Sequence, residues 1–328
     1  MSGNHNQSLD RALEIVEAAA RSGAHAIKLQ TYTADTITLD IRGGSFEIHD
    51  PNSLWSGRNL YDLYKQAYTP WEWHGPIMQK ARELGLICFS SPFDETAVDF
   101  LEDLNAPAYK IASFENNHLP LIAKAAATGK PLIISTGMAT LAELEMAVST
   151  AREAGCTQLV LLKCTSTYPA APINTNINTI THLKKLFNTE VGISDHTMGL
   201  GVAVASVALG ASVIEKHFTL ARSDGGVDSA FSLEPHEMAA LVDETERAWQ
   251  ALGKVRYGPM DAESKSLVFR RSIYVSKDIS AGELFDETNI RIVRPGDGAP
   301  PYLYSELLGK TARRNYSSGT PLSFEQLL

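Results

Sequence analysis

Leu132-Ile-Ile-Ser-Thr136, then the helix-period segment Leu141–Ala154, then Leu159-Val-Leu-Leu-Lys-Cys164 read as strand, helix and strand in succession. Neither short run alternates apolar with polar residues, so neither offers a face to water. Strands apolar on both faces belong to parallel sheets covered by helices. Moving outward, the same alternation continues. Strands are predicted at Ala26–Gln30, Leu86–Ser90, Tyr109–Ser113, Val191–Ser194 and Ser212–Phe218. Helical periods fill Leu9–Ser22, Pro70–Leu84, Glu95–Leu104, Leu119–Thr128, Ile177–Leu186, Gly201–Leu209 and Pro235–Leu252. Strand-to-strand steps of roughly 20–30 residues fit repeated βα units. The exception is Thr31–Tyr68, rich in Asn, Asp, Gly and Trp, which reads as a long loop inserted after a strand, where barrel enzymes build their sites.

Each apolar run finishes in polar residues: Lys28 and Gln30; Ser90 and Ser91; Lys110, Ser113 and Glu115; Ser135 and Thr136; Thr165 and Ser166; Ser194, Asp195 and His196; Glu215 and His217. One such cluster is ordinary turn chemistry. Seven converge, because all carboxyl ends of a parallel sheet lie on one face. No GxGxxG follows an early strand, so a (β/α)₈ TIM barrel is favoured over an open doubly wound sheet. The count is one strand short, since the chain opens Met1-Ser-Gly-Asn-His-Asn6 and enters its first helix directly. Either a first strand upstream of Ser2 or a barrel with a gap is expected.

Composition narrows the class. Of 328 residues, 44% are apolar and 20% charged, enough for a full core. Lys and Arg number 29 against 38 Asp and Glu, a net charge of −9, which argues against a sequence-independent nucleic-acid binder. No apolar run approaches the roughly 20 residues that span a bilayer, and no signal peptide is read. Cys88, Cys156 and Cys164 form no CxxC pair, which suits a reducing cytosol. A cytoplasmic protein without nucleic-acid or membrane partners is expected.

Composition changes after Leu252. The reading is a barrel domain over 1–253, a linker over 254–268 and a small β-rich domain over 269–328. Roughly 60 residues make a marginal domain alone, so the small one is expected to pack on something.

Lys28-Leu-Gln30, Ser91-Pro-Phe93, Tyr109-Lys-Ile-Ala-Ser-Phe-Glu115, Ser135-Thr-Gly-Met138, Cys164-Thr-Ser-Thr-Tyr-Pro169, Ser194-Asp-His-Thr197 and Glu215-Lys-His-Phe218 occur in that order. The series resembles the sialic acid synthase family, transferases that condense phosphoenolpyruvate with an amino sugar to make a nonulosonic acid. The tail resembles that family's C-terminal antifreeze-like (SAF) domain. Asp50-Pro-Asn-Ser-Leu-Trp55, Leu60-Tyr-Asp-Leu-Tyr-Lys65 with Thr69-Pro-Trp-Glu-Trp73, and Gly225-Gly-Val-Asp-Ser-Ala-Phe231 are most similar to the branch acting on 2,4-diacetamido-2,4,6-trideoxy-L-altrose.

The resemblance implies a set of roles. Phosphoenolpyruvate needs cations and small donors. Lys28 and Lys110 supply the charge, and Ser91, Ser113, Ser135, Ser166 and Ser194 supply hydroxyls, though many relatives carry Asn at Ser166. His196 and His217 end neighbouring strands roughly 5 Å apart and can share a divalent metal, Mn²⁺ before Mg²⁺ or Co²⁺. Glu115 handles a proton, and with Lys110, His196 and His217 makes the catalytic set. Gln30, Tyr168, Asp228 and Phe231 match positions facing the sugar. Arg294 matches an arginine that reaches the sugar from the partner's small domain, in a domain-swapped homodimer.

Plainer readings stay open at single positions. A strand-end lysine is often a surface charge, Glu115 can be a salt-bridge partner of Lys110, and Arg294 can simply flank a turn. Asp195 is equally a second-layer partner or a strand-end cap. The same chemistry on another sugar would give N-acetylneuraminic or legionaminic acid. The family's first strand carries a Glu just before the motif matched by Gly3-Asn-His5, which leaves an inactive truncated homologue as a third reading.

Overall fold

The computed structural model describes residues 1–323 and divides into two compact units, Met1–Gly253 and the chain from Lys254 onward. The last five residues of the expected small domain, 324–328, lie outside the described residues.

Local chemistry explains the helices. In α1 (Leu9–Arg21) the Ser8 side chain accepts from the Arg11 N–H, satisfying one of the free donors of the first turn. Its inward residues Ala12, Ile15, Val16 and Ala19 recur at helical spacing and are all buried. The helices α4 (Trp71–Glu83), α5 (Glu95–Asp103), α6 (Leu119–Ala127), α7 (Leu141–Glu153), α8 (Thr179–Phe187), α9 (Gly201–Ala208) and α10 (Pro235–Ala251) follow the expected segments to within a residue or two. In α7, Thr140 and Glu143 form a reciprocal capping box.

Between these helices run β1 (Ala26–Thr31), β2 (Ile87–Pro92), β3 (Tyr109–Ile111), β4 (Leu132–Ser135), β5 (Leu159–Cys164), β6 (Glu190–Ser194) and β7 (Val213–Glu215). They form one sheet in sequence order, every neighbour pair parallel. Registers Gln30↔Ser91, Cys164↔Ser194 and Ser194↔Glu215 bring the polar carboxyl ends level on one rim. Along β1 the alternation is plain: Ile27, Leu29 and Thr31 are buried, while Lys28 and Gln30 line a cavity.

β1 and β7 are the sheet's edges and are not paired to each other. The sheet nevertheless curls far enough for their side chains to meet, with Lys28 Nζ on β1 3.2 Å from Glu215 Oε1 on β7. A cavity of about 860 Å³ runs from the open side, past Ala24, Ile27, Val213 and Leu241, to Lys28 and Glu215. The seven strands therefore curl into a barrel that is open between β1 and β7.

The stretch Thr31–Tyr68 is not simply a loop. It holds α2 (Ala34–Ile37), a 3₁₀ turn (Gly44–Phe46) and α3 (Leu60–Ala67). α3 starts where the Asn59 side chain accepts from the Tyr61 and Asp62 N–H groups, and it buries only Leu63 and Ala67. So short a stripe carries almost no periodic signal.

In the second unit β8 (Ser272–Val275) and β9 (Ile290–Val293) pair antiparallel. Ile273, Val275, Phe285, Ile290, Leu307 and Leu322 form its own core. Residues Asp261–Phe269, which include the end of the expected linker, wind into a 3₁₀ helix. Among the described residues no helix is long and apolar enough to cross a membrane.

Candidate active site

The rim of the barrel is polar, and most of its side chains are buried. Lys110 on β3 is 1% exposed, donates to Ser135 Oγ at 2.5 Å and to Ile111 O at 3.1 Å, and lies 3.9 Å from Glu215 Oε1. Burial lowers its pKa to about 8, against the pull of Glu215. Lys28 and Ser194 also reach Glu215, the latter by a 2.9 Å hydrogen bond. Despite its burial, Glu215 is held strongly as the anion by these two lysines and Ser194. One carboxylate thus keeps two cations side by side, which would otherwise repel.

Beyond Ser135 the chain turns at Gly137, whose N–H donates to Ser113 Oγ at 3.2 Å. A Cβ there would come within 2.2 Å of Ser166 Oγ and 2.6 Å of Ser113 Oγ. Only glycine lets three serine-bearing loops close around the lysines. Asn116 fixes this turn, donating to Ser135 O and Gly137 O. Ser91 Oγ is fully buried with no hydrogen-bond partner, an unmet donor.

His196 and His217 face each other with ring centroids 5.4 Å apart. The His196 Nδ1–H donates to Thr165 O at 3.0 Å, which leaves Nε2 as the free nitrogen. Burial, then His196, pushes the His217 pKa well below its ordinary value, so that ring is neutral. Its buried Nδ1 has no hydrogen-bond partner, and Asp228 Oδ2 lies 3.9 Å away. Among the described residues no ready group of three or more His, Cys, Asp and Glu forms a metal cage. A neutral imidazole with an orphaned nitrogen opposite a second imidazole does fit an open divalent site completed by substrate and water.

Glu115 follows β3 in a 3₁₀ turn (Ser113–Glu115), and its Oε2 is buried without a partner. Burial raises its pKa to about 7, with Lys110 opposing, which suits a group that gives and takes a proton near neutrality. Cys164 Sγ lies 3.8 Å from both His196 Nδ1 and Ser166 Oγ. Burial disfavours its thiolate, but His196, Ser113 and Lys110 bring its pKa down to about 7.

Of the residues singled out in the sequence, those on the barrel fall around this rim. Tyr168 packs 4.4 Å from His196 and Phe231 4.8 Å from His217. Ser2 ties together Gln30, at 3.0 Å, and Asp228. Arg294 belongs to the other unit, exposed just after β9. Sequence reasoning missed four contributors: Glu215 as the lysines' shared counter-charge, Gly137 as the cradle, Cys164 beside His196, and Trp55 beside Tyr168. All four stand inside the motifs quoted from the sequence, but nothing in the sequence gives their partners.

Comparison with known proteins agrees with this geometry. The NeuB family model matches residues 15–257 and the SAF domain model residues 270–328. A pseudaminic acid synthase of Campylobacter jejuni is 47% identical over 98% of this chain and 93% of its own length. One from Helicobacter pylori is 43% identical over 100% of this chain and 96% of its own. A crystal structure of the N-acetylneuraminic acid synthetase of Leptospira borgpetersenii, in complex with citrate, superposes with a TM-score of 0.70 at 31% identity, covering 80% of this chain and 87% of that one. With the curled parallel sheet, the cation-lined rim and full-length likeness all in agreement, the chain belongs to the NeuB family and carries a C-terminal SAF domain.

Proposed function

We propose that this chain is a pseudaminic acid synthase, a transferase joining phosphoenolpyruvate to 2,4-diacetamido-2,4,6-trideoxy-L-altrose with release of phosphate. The observation that carries the sugar is the 43–47% identity to pseudaminic acid synthases along almost the whole chain. The rim supplies the chemistry.

Phosphoenolpyruvate brings a phosphate and a carboxylate. Lys28 and Lys110 receive the charge, already held together by Glu215, and Ser113, Ser135 and Ser166 around Gly137 donate to the oxygens. Ser91 completes the donor set, and Ser194, whose hydroxyl donates to Glu215, steadies that carboxylate. His196 and His217 would hold a divalent metal, Mn²⁺ before Mg²⁺ or Co²⁺, which when bound polarises the aldehyde oxygen of the open-chain sugar. The lysines keep the phosphate fixed while C3 of phosphoenolpyruvate attacks the aldehyde carbon. Attack leaves an alkoxide at the aldehyde oxygen and a cationic C2. Glu115 takes a proton from the water that adds at C2 and passes it to the alkoxide. The C2 hydroxyl then gives up its proton as the C2–O bond to phosphate breaks, leaving the ketone. Gln30, Tyr168, Asp228 and Phe231 face the sugar.

The SAF unit is read as a cap. In a domain-swapped homodimer it lies over the partner's barrel, bringing Arg294 to the sugar and excluding water from the charged rim. A reducing cytoplasm suits the three free cysteines, all buried.

Phosphate release by the purified, Mn²⁺-loaded protein tests the assignment. It should be rapid with the diacetamido altrose and scarce with N-acetylmannosamine. The opposite preference would reject it.

A further inference from the structure

Aromatic rings step outward from the two imidazoles. Tyr168 lies against His196 and Phe231 against His217, and these two rings are 5.1 Å apart. Beyond them stands Trp55, 5.8 Å from Tyr168 and 6.5 Å from Phe231. It comes from the stretch between β1 and α4, far in sequence from the others. Its one polar atom is already used, since Nε1–H donates at 2.9 Å to Val227 O, next to Asp228. The indole is only partly buried, and Leu54 beside it is 49% exposed. What Trp55 can offer a ligand is therefore its π face and nothing that pairs with a hydroxyl.

We propose that Trp55 determines sugar specificity, packing against the C4–C6 end of the substrate and selecting a C6 methyl and a C4 acetamido group over hydroxyls. This rests on the reading of the rim as a nonulosonic acid synthase site, with the aldehyde carbon at the imidazoles and the far end of the sugar pointing outward. A methyl on the indole face is dry and well packed, whereas a hydroxyl there loses water and finds no partner. Apolar contacts of this kind discriminate by about 10- to 200-fold.

The test uses full-length, Mn²⁺-loaded protein and kcat/KM for three sugars. These are the L-altro 2,4-diacetamido-2,4,6-trideoxy sugar, its D-manno counterpart, and N-acetylmannosamine, which carries hydroxyls at C4 and C6. The wild type should favour both deoxy sugars over N-acetylmannosamine by about tenfold or more. Trp55→Ala should erase about tenfold of that preference, leaving N-acetylmannosamine turnover and the KM for phosphoenolpyruvate within about threefold. Trp55→Phe, which keeps a ring and gives up the bond to Val227, should retain the preference. An equal loss on all three sugars, an unchanged preference in Trp55→Ala, or a wild-type preference for N-acetylmannosamine would each overturn the proposal.

If Trp55→Ala does not fold, 5-fluorotryptophan labelling of the wild type decides, with the Trp55 resonance assigned by its loss in Trp55→Phe. The deoxy sugars should shift that resonance and N-acetylmannosamine should not; no shift overturns the proposal. A wild-type preference for the D-manno over the L-altro sugar would reject the pseudaminic acid assignment and leave the role of Trp55 standing. An L-altro preference indifferent to Trp55 would do the reverse.

Discussion

Lys216 Nζ lies 3.0 Å from Asp195 Oδ2, both side chains are sealed from solvent, and each residue immediately precedes one of the two facing imidazoles. The ammonium also donates to Thr197 O and Gly199 O, and Asp195 Oδ1 accepts from the Thr197 N–H. Every charge in the pair is met, and the turn after β6 is bolted to the end of β7. Removing one partner from such a pair strands the other, at a cost of about 3–5 kcal/mol. Lys216→Met should therefore lower unfolding stability by that order in urea titration. Adding Asp195→Asn should restore part of the loss; strictly additive losses would show that the two do not act together.

Metal dependence gives a second expectation. Chelation should abolish phosphate release and Mn²⁺ should restore it. His196→Ala and His217→Ala should each weaken Mn²⁺ binding in calorimetry while leaving the far-ultraviolet circular dichroism unchanged. Full turnover by a metal-stripped sample would contradict the assignment of the imidazole pair.

Lys110→Met, which fills the same channel without the charge, should raise the KM for phosphoenolpyruvate far more than that for the sugar. Loss of one charged hydrogen bond to a phosphate costs about 1.5–3 kcal/mol, or roughly 10- to 150-fold. Equal effects on the two substrates would remove Lys110 from the phosphate site.

Glu115 links pH to both activity and stability. Its pKa in the folded chain is raised to about 7 from 4.5, so the fold favours the protonated acid. The stabilising share of this group is fully present below pH 4.5 and is lost as pH rises through 7. Activity needs the anion as base, so turnover should climb over the same window. Glu115→Gln should flatten that limb and slow turnover by about 100-fold or more. It should also stabilise the protein at pH 8 by about 3 kcal/mol, with little gain at pH 4.5. A denaturation midpoint that moves equally at both values would deny the buried carboxyl this role.

Complementation tests the proposed dimer. Glu115→Ala and Arg294→Ala, each inactive alone, should regain activity when mixed under conditions that exchange subunits. In a swapped heterodimer one site collects both defects and the other is intact. Exchange without recovered activity would show that each SAF unit serves its own barrel.

The architecture was legible because parallel strands announce themselves twice, as apolar runs and as polar residues at one end. The polar ends drew Lys28, Gln30, His196 and His217 to one face, and the resemblance gave them their roles. Neither gave the partners: Asp195 stands among the polar strand ends and Lys216 beside His217, but nothing in the sequence pairs them, and the structure buries them against each other. Trp55 was invisible as a site residue for another reason. Its neighbours Tyr168, Val227 and Phe231 are more than a hundred residues away in sequence, and no local period reports such a meeting. α3 was overlooked because its buried stripe amounts to Leu63 and Ala67.

Lys28 and Glu215 join the first and last strands of a sheet whose edges share no backbone ladder. Lys28, proposed above to receive phosphate, is thus also a contact that draws the two edges together. Replacing either side chain would remove this contact between the two edge strands. A phosphate taken up by Lys28 would compete with Glu215 for its ammonium, so the contact between β1 and β7 should be held less tightly with substrate bound than without it.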